Sequence, residues 1–415
     1  MNQRFLPSLV LLFAGIWPIG NLALDFGAPH KSPEYEVLVK DATEPIHEKE
    51  KDAASRKLSK LLNIDHEHEI VFGQSAPLSG PLKFNTKIIQ DGINASFKKI
   101  NASGGIGGKM LRLVTLDDHG NPEHAKRNTK LLSQEFGVDM FLGSIGTRGI
   151  LSVMPMVEGK KIAQLFPWGV TPGMRSSEIS NIVHGTSYIQ PQIDALVDHA
   201  LDDLKFKKIA VVHSNGTFGT QNANWLQSKL KQRGITPVAV KPFNSQTMRF
   251  DKIIDDLLDV DPRMIVFLST SIPAAKCIKG MLAKGPCPIA LAGIDSTFLV
   301  PERLKDSKFH FSYSSSVPSP HNTSYKLVDD YQKAMKLACG KETFKPNILS
   351  LSYFLNASIV TEALKQVEKS KKTFSRDTVM AEIENMKNVD LGGFIADFNR
   401  RTRHAYPLHV TIVKG

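Results

Sequence analysis

The sequence predicts an α/β protein built from two doubly wound, parallel-sheet lobes. Residues 69–118 read as one strand–helix–strand unit. A second series of strands and helices runs through residues 191–292, and two long amphipathic helices, 324–337 and 348–367, follow it. Helices placed between short apolar strands imply parallel strands covered on both faces. The length of 415 residues suits two domains or one large one.

In the opening unit, Ile70 to Gln74 is a short apolar strand, and Ser75 to Pro81 a loop of turn residues. Ile89, Ile93, Phe97 and Ile100 recur at helical spacing in Thr86 to Ile100, with Gln90, Asp91, Asn94 and Lys98 on other faces. The run Gly104-Gly-Ile-Gly-Gly-Lys109 stops that helix. It resembles a phosphate loop in composition only. A phosphate loop leads from strand to helix, whereas this one leads from helix to strand. Met110 to Leu116 is the second strand, ending on Asp117 and Asp118.

The first lobe continues with helices at 123–136 and 148–158 and strands at 138–143, 161–166 and 181–185. The second has helices at 191–204, 221–233, 250–258 and 273–284, between strands at 208–213, 237–241, 264–268 and 288–292. After a strand at 308–312, residues 314–320 read as linker, and the chain crosses back into the two long helices and a shorter one at 377–386. The tail, 393–398 with 408–413, reads as a closing hairpin.

The net charge is +11, with both signs mixed along the surface helices. No Lys/Arg run interleaved with aromatics is present, so a solvated basic surface is the simpler reading and nucleic acid is not an expected partner. Cys277, Cys287 and Cys339 show no metal-type spacing. Cys277 lies almost two helical turns before the strand holding Cys287, a separation of about 10 Å at helical rise, too long for an undistorted disulfide. Buried thiols are expected. Residues 1–24 read as a signal peptide, with Arg4 before the apolar run Leu6 to Ile19 and small residues at Asn21-Leu-Ala23. An uncleaved anchor is the competing reading. Residues 25–68 read as a flexible polar arm, with a helix at 42–62 closing on Leu58, Leu61 and Leu62. His66-Glu-His-Glu69 reads as a polar turn, and neither metal nor cofactor is expected.

Several of these stretches together carry a family resemblance: the Ser79-Gly-Pro81 loop, the helix ending in Lys98-Lys-Ile-Asn101, the glycine run, the Asp117-Asp118 strand end and Asn121-Pro-Glu-His-Ala125. This pattern resembles the leucine/isoleucine/valine-binding-protein family, the periplasmic solute-binding proteins of branched-chain amino-acid ABC transporters. The resemblance implies a type I periplasmic-binding fold whose lobes are joined by three crossovers, near Thr186, Val317 and Val389. It divides the chain into lobe one, 69–186 and 317–388, and lobe two, 187–316 and 389–415.

Ligands of open parallel sheets lie beyond the carboxyl ends of the strands. Here that rule selects loops 75–79, 144–148 and 168–171 in lobe one, and 214–218, 269–272 and 294–296 in lobe two. The resemblance narrows the choice. It implies that Thr147 and the backbone of Gly169 to Thr171 hold a ligand α-carboxylate, that Asp295 meets an ammonium, and that Phe218 closes over the ligand. Trp168 and Arg148 depart from the family pattern. Trp168 stands where a small residue is usual, either to stack on a ligand or to cap the core, and Arg148 adds a cation that either suits a dicarboxylate or points into solvent.

The expected function is that of a periplasmic or secreted solute-binding protein, a monomer that closes on a small amino-acid-like ligand and serves the membrane subunits of an ABC permease. The alternative is a sensing module presenting the same cleft to a signalling partner. No nucleophile–base pair or catalytic motif marks the chain as an enzyme.

Overall fold

The computed structural model describes residues 57–415 except 186–188, 286–289, 306, 308, 341–343, 407–410 and 415. The expected signal peptide, most of the expected polar arm, Cys287 and the expected crossover at Thr186 lie outside the described residues.

The first sheet is parallel throughout, in the order β2-β1-β3-β4-β5. Its strands are β1 (Glu69–Ala76), β2 (Met110–Asp117), β3 (Met140–Leu142), β4 (Ala163–Leu165) and β5 (Ile182–Val183). The connecting helices are α1 (Lys83–Asn101), α2 (Pro122–Gln134) and α3 (Thr147–Glu158). β1 is buried along nearly its whole length, as a central strand covered on both faces must be. α2 starts where it does because the Asn121 side chain accepts from the N–H groups of Glu123 and His124, with Pro122 in the first turn.

Next come α4 (Ile189–Asp198), β6 (Ile209–Ser214), α5 (Thr217–Gln232), β7 (Ala239–Phe243), α6 (Asp251–Val260), β8 (Met264–Leu268), α7 (Ser271–Lys284), β9 (Ala290–Gly293), the short α8 (Val300–Arg303) and β10 (His310–Ser315). α9 (Lys326–Cys339), α10 (Ile348–Lys369) and α11 (Arg376–Glu384) follow, then β11 (Val389–Asp390), β12 (Ile395–Ala396) and β13 (Thr411–Lys414). The second sheet has the order β13-β10-β9-β8-β6-β7, parallel apart from the antiparallel edge strand β13. α10 is buried on almost every side and packs on α1, so the chain does return to the first lobe after β10.

Four expectations are corrected. β10 reaches Ser315, so the strand takes in the start of the expected linker at 314–320. The tail does not form a hairpin of 393–398 with 408–413: β12 pairs with β11, while β13 pairs with β10. Crossover three therefore comes later than Val389. Phe398 N donates to Met386 O, and His184 N donates to Arg403 O, which keeps residues up to about 405 on lobe one. Short strands give little periodicity: β12 takes the local partner β11, and β13 a partner remote in sequence, β10.

The fourth correction concerns the arm. Residues 57–62 are helical, and Leu58 and Leu62 are fully buried against Val71, Leu131 and Phe141. Arg112 Nη1 donates to Asn63 O (2.9 Å), Lys109 Nζ donates to the carbonyls of His66 and Glu67, and a His66 ring nitrogen sits 2.7 Å from Phe136 O. The end of the arm, 57–68, is thus part of lobe one. Two leucines at i, i+4 supply its apolar stripe, and the surrounding Lys and Glu obscured it.

Candidate functional site

On lobe one the site is built from two loops that hydrogen-bond to each other. Gly146 N donates to Trp168 O (3.0 Å), and Trp168 N to Ser144 O (2.8 Å). The Thr147 hydroxyl donates to Gly169 O at 2.5 Å. Gly169 has φ +101°, and a Cβ there would lie 3.1 Å from Thr147 N, so both the backbone conformation and the space favour glycine. This packing places the first turn of α3 at the carboxyl end of the sheet. The first N–H groups of a helix, here those of Thr147, Arg148 and Gly149, have no carbonyl partner within the helix and lie at its positive end. Such a turn receives a carboxylate well.

Sequence reasoning selected Thr147, Trp168, Gly169 and Thr171; the structure brings Thr147 against Gly169 and the Gly146 turn against Trp168, while Thr171 accepts from Met174 N farther along the same loop. Thr147 differs in detail, because its hydroxyl hydrogen is already directed at Gly169 and the remaining donors are backbone N–H groups. Trp168 is half-buried and packs on the core, and Thr171 is buried. Arg148 is exposed.

On lobe two, β9 ends at Gly293 and runs into a single 3₁₀ turn, Asp295–Thr297. A Cβ on Gly293 would sit 2.3 Å from Thr297 Oγ1, so the strand end requires glycine for the turn to fold back on it. The turn is braced by Ser271 Oγ donating to Ser296 O and by Ser296 Oγ donating to Ser269 O. Asp295 is partly exposed at the head of this turn. Its Oδ2 accepts from Gln192 Nε2 (2.9 Å), and its own N–H donates to Gln192 Oε1 (2.9 Å). Burial pushes its carboxyl up to about 6, opposed by the hydrogen bonds from Gln192 and the Ser296 backbone. Among the described residues, no cationic side chain pairs with it. Phe218, half-buried in the first turn of α5, packs on the lobe-two core beside the end of β6.

Sequence reasoning missed three residues around Asp295. Gln192 is fully buried on α4. Tyr353 on α10 and Tyr406 are fully buried, and both hydroxyls feel the Asp295 carboxylate. Tyr353 Oη donates to Phe166 O (2.9 Å), tying the long helix to the end of β4. A polar position inside an apolar helix was the only signal for Gln192. The tyrosines lie far along the chain, in segments read as core helix and hairpin.

The lobes also touch through side chains of α8. Arg303 sits over the Phe84 ring of α1, 5.1 Å from its centroid, and Glu302 pairs with Lys345 at 2.6 Å. Behind α3, wholly within lobe one, a small cavity is lined by Ser75, Asp118, Ser144 and Gln164 together with the apolar Ile145, Ile150 and Val153. Ser75 Oγ donates to Asp118 Oδ2 there, and burial pushes the Asp118 carboxyl up to about 6.

The sequence profile described as "Periplasmic binding protein" matches residues 69–413. The chain belongs to the periplasmic binding protein family. A Leu/Ile/Val-binding protein of Rhizobium johnstonii is 22% identical over 330 residues, covering 77% of this chain and 85% of that protein. A Leu/Ile/Val-binding protein homolog of Brucella melitensis is 23% identical, over 48% of this chain and 54% of its own length. Among solved structures, a branched-chain amino acid ABC transporter protein from Thermus thermophilus with bound valine has a TM-score of 0.74 at 18% identity, covering 84% of this chain and 93% of that one. A fatty acid ABC transporter substrate-binding protein from Thermomonospora curvata has a TM-score of 0.69 at 17% identity, covering 84% and 89%. These structural likenesses show the type I two-lobed fold. They do not select a ligand, because neighbours of the same fold are named for both amino acids and fatty acids. Among the described residues, no helix is long and apolar enough to cross a membrane.

Proposed function

We propose that this protein binds a small amino-acid-like solute outside the cytoplasm, closes its two lobes on it, and delivers it to the membrane subunits of an ABC permease. The observation that carries the reading is the position of Asp295. It is a desolvated carboxylate at the carboxyl end of the lobe-two sheet, without a cationic partner among the described residues. The free N–H groups at the start of α3 lie at the corresponding end of the lobe-one sheet. A zwitterion satisfies both. Its carboxylate takes the helix N-terminus and its ammonium neutralises Asp295. Each contact gains strength as closure excludes water.

In this reading Thr147, Gly169, Trp168 and Thr171 shape the carboxylate end, Phe218 covers the ligand, and Arg148 remains in solvent unless the ligand carries a second acid. Support comes from the family membership and from relatives named as Leu/Ile/Val-binding proteins. Neither the proposal nor the site calls for a metal, a cofactor or a catalytic step. A thermal-shift screen with the common amino acids and small carboxylic acids tests it. A zwitterionic amino acid is expected to raise the melting temperature, because a ligand that binds only the folded state stabilises it. A protein stabilised only by fatty acids or other monopolar ligands would contradict the bipolar site.

A further inference from the structure

Gln192 lies where three pieces of lobe two meet. It occupies the first helix after the chain enters that lobe, and it is fully buried. Its side chain touches the turn after β9 through Asp295 and the end of β10 through Ser314, whose hydroxyl donates to Gln192 Oε1 (3.0 Å). The orientation of the amide is dictated by its neighbours. Asp295 N–H can only be met by the oxygen, and the ionised Asp295 carboxylate can only be met by the nitrogen, while the Ser314 hydroxyl adapts to the orientation these two set. Both bonds to Asp295 therefore favour the same amide orientation, and with it one position of the carboxylate.

We propose that Gln192 is a positioning residue for the ligand's cationic end: it fixes the Asp295 carboxylate in place and keeps it ionised in the empty cleft. The inference rests on the reading of Asp295 as the ammonium anchor. Two features of the surroundings make it matter. Among the described residues, the other titratable groups that feel Asp295 are Tyr353 and Tyr406, phenols that burial keeps neutral, so they bring no charge to it. Among the described residues, it is the hydrogen bonds from Gln192 and the Ser296 backbone that oppose the desolvation of the carboxylate. Removing the amide leaves desolvation less opposed, and the neutral acid becomes the favoured form nearer to neutral pH. The end of β10, held by the same amide, is also where the second passage between the lobes begins, so Gln192 ties the anchor to the hinge side of the cleft.

The test is made first on the full-chain protein without ligand. Melting temperatures of wild type and Asp295→Asn are compared across pH 4–9, and the pH dependence of their difference reports the titration of Asp295. The same comparison is then made in a Gln192→Leu background. The midpoint is expected to move up by about one pH unit or more. Gln192→Glu, of nearly the same shape, serves where the leucine variant folds poorly. It places two carboxyl groups in contact, and they are expected to retain a shared proton to above pH 7. A midpoint unchanged to within 0.3 unit in whichever background folds overturns the proposal, because a Gln192 that merely packs leaves the Asp295 titration where it was. Calorimetry with L-valine and L-isoleucine then separates the two ideas. Where Asp295→Asn binds as well as wild type, the ammonium-anchor reading fails, even if the Gln192 effect on the titration is found. Where Asp295→Asn loses affinity and Gln192→Leu recovers most of its own loss between pH 7 and pH 9, both stand.

Discussion

Replacing Asp295 by Asn removes the charge and keeps the shape, and the structure assigns opposite signs to its two consequences. In the empty protein, burial raises the carboxyl from 3.8 to about 6. A shift of that size corresponds to about 3 kcal/mol of unfavourable charge burial. The group's folded pKa lies above its unfolded value. The penalty is therefore fully present above about pH 6 and is relieved as pH falls from there toward 3.8. Asn carries no such penalty, and its oxygen can still accept from Gln192 Nε2. The empty variant is expected to be about 1–3 kcal/mol more stable than wild type at pH 8, with the gap closing toward pH 4. Ligand binding should move the other way. The ammonium would lose its counter-charge inside a closed cleft, at a cost of about 2–5 kcal/mol, which is well over tenfold in affinity. Calorimetric titration with the best ligand from a thermal screen, beside melting curves of the empty proteins, reads both effects. An Asn variant that binds as tightly as wild type refutes the reasoning. So does one that melts lower at pH 8 with unchanged affinity, which would mean that Asp295 serves only the turn it begins.

Wild-type affinity should fall by about tenfold per pH unit below about 6 as the anchor protonates, and a flat profile between pH 5 and 7 would count against it. Thr147→Val removes a hydroxyl that donates to Gly169 O, so it should cost about 1 kcal/mol of stability in a melt and change affinity by less than about threefold. Leu62→Ala empties a fully buried site where the arm joins lobe one, and a loss of about 2–5 kcal/mol is expected in urea unfolding; a loss under 1 kcal/mol would show that this segment is not docked.

The two sheets were readable because their central strands are short, largely apolar, buried runs, and the intervening helices show 3.6-residue stripes. Leu58 and Leu62 escaped because two residues make a stripe too short to stand out among Lys and Glu. β12 and β13 fell within or beside stretches read as strands, but their pairing and the two-residue β11 escaped, because strands of two to four residues carry too little pattern to name their partners. The loops of the site followed from one rule about strand ends, aided by the family resemblance. Which atoms face the ligand did not follow. Nothing local announces that the Thr147 hydroxyl turns toward Gly169, or that a glutamine more than a hundred residues from Asp295 in sequence holds its carboxylate. Those facts depend on loops and helices that meet only in the folded chain.

The crystal structure of the protein bound to the amino acid that raises its melting temperature most tests the central claim directly. The ligand is expected between the lobes, its carboxylate on the N–H groups of Thr147, Arg148 or Gly149 and its ammonium within hydrogen-bonding distance of Asp295. A ligand seated elsewhere, or one in the cleft whose ammonium does not touch Asp295, would contradict it.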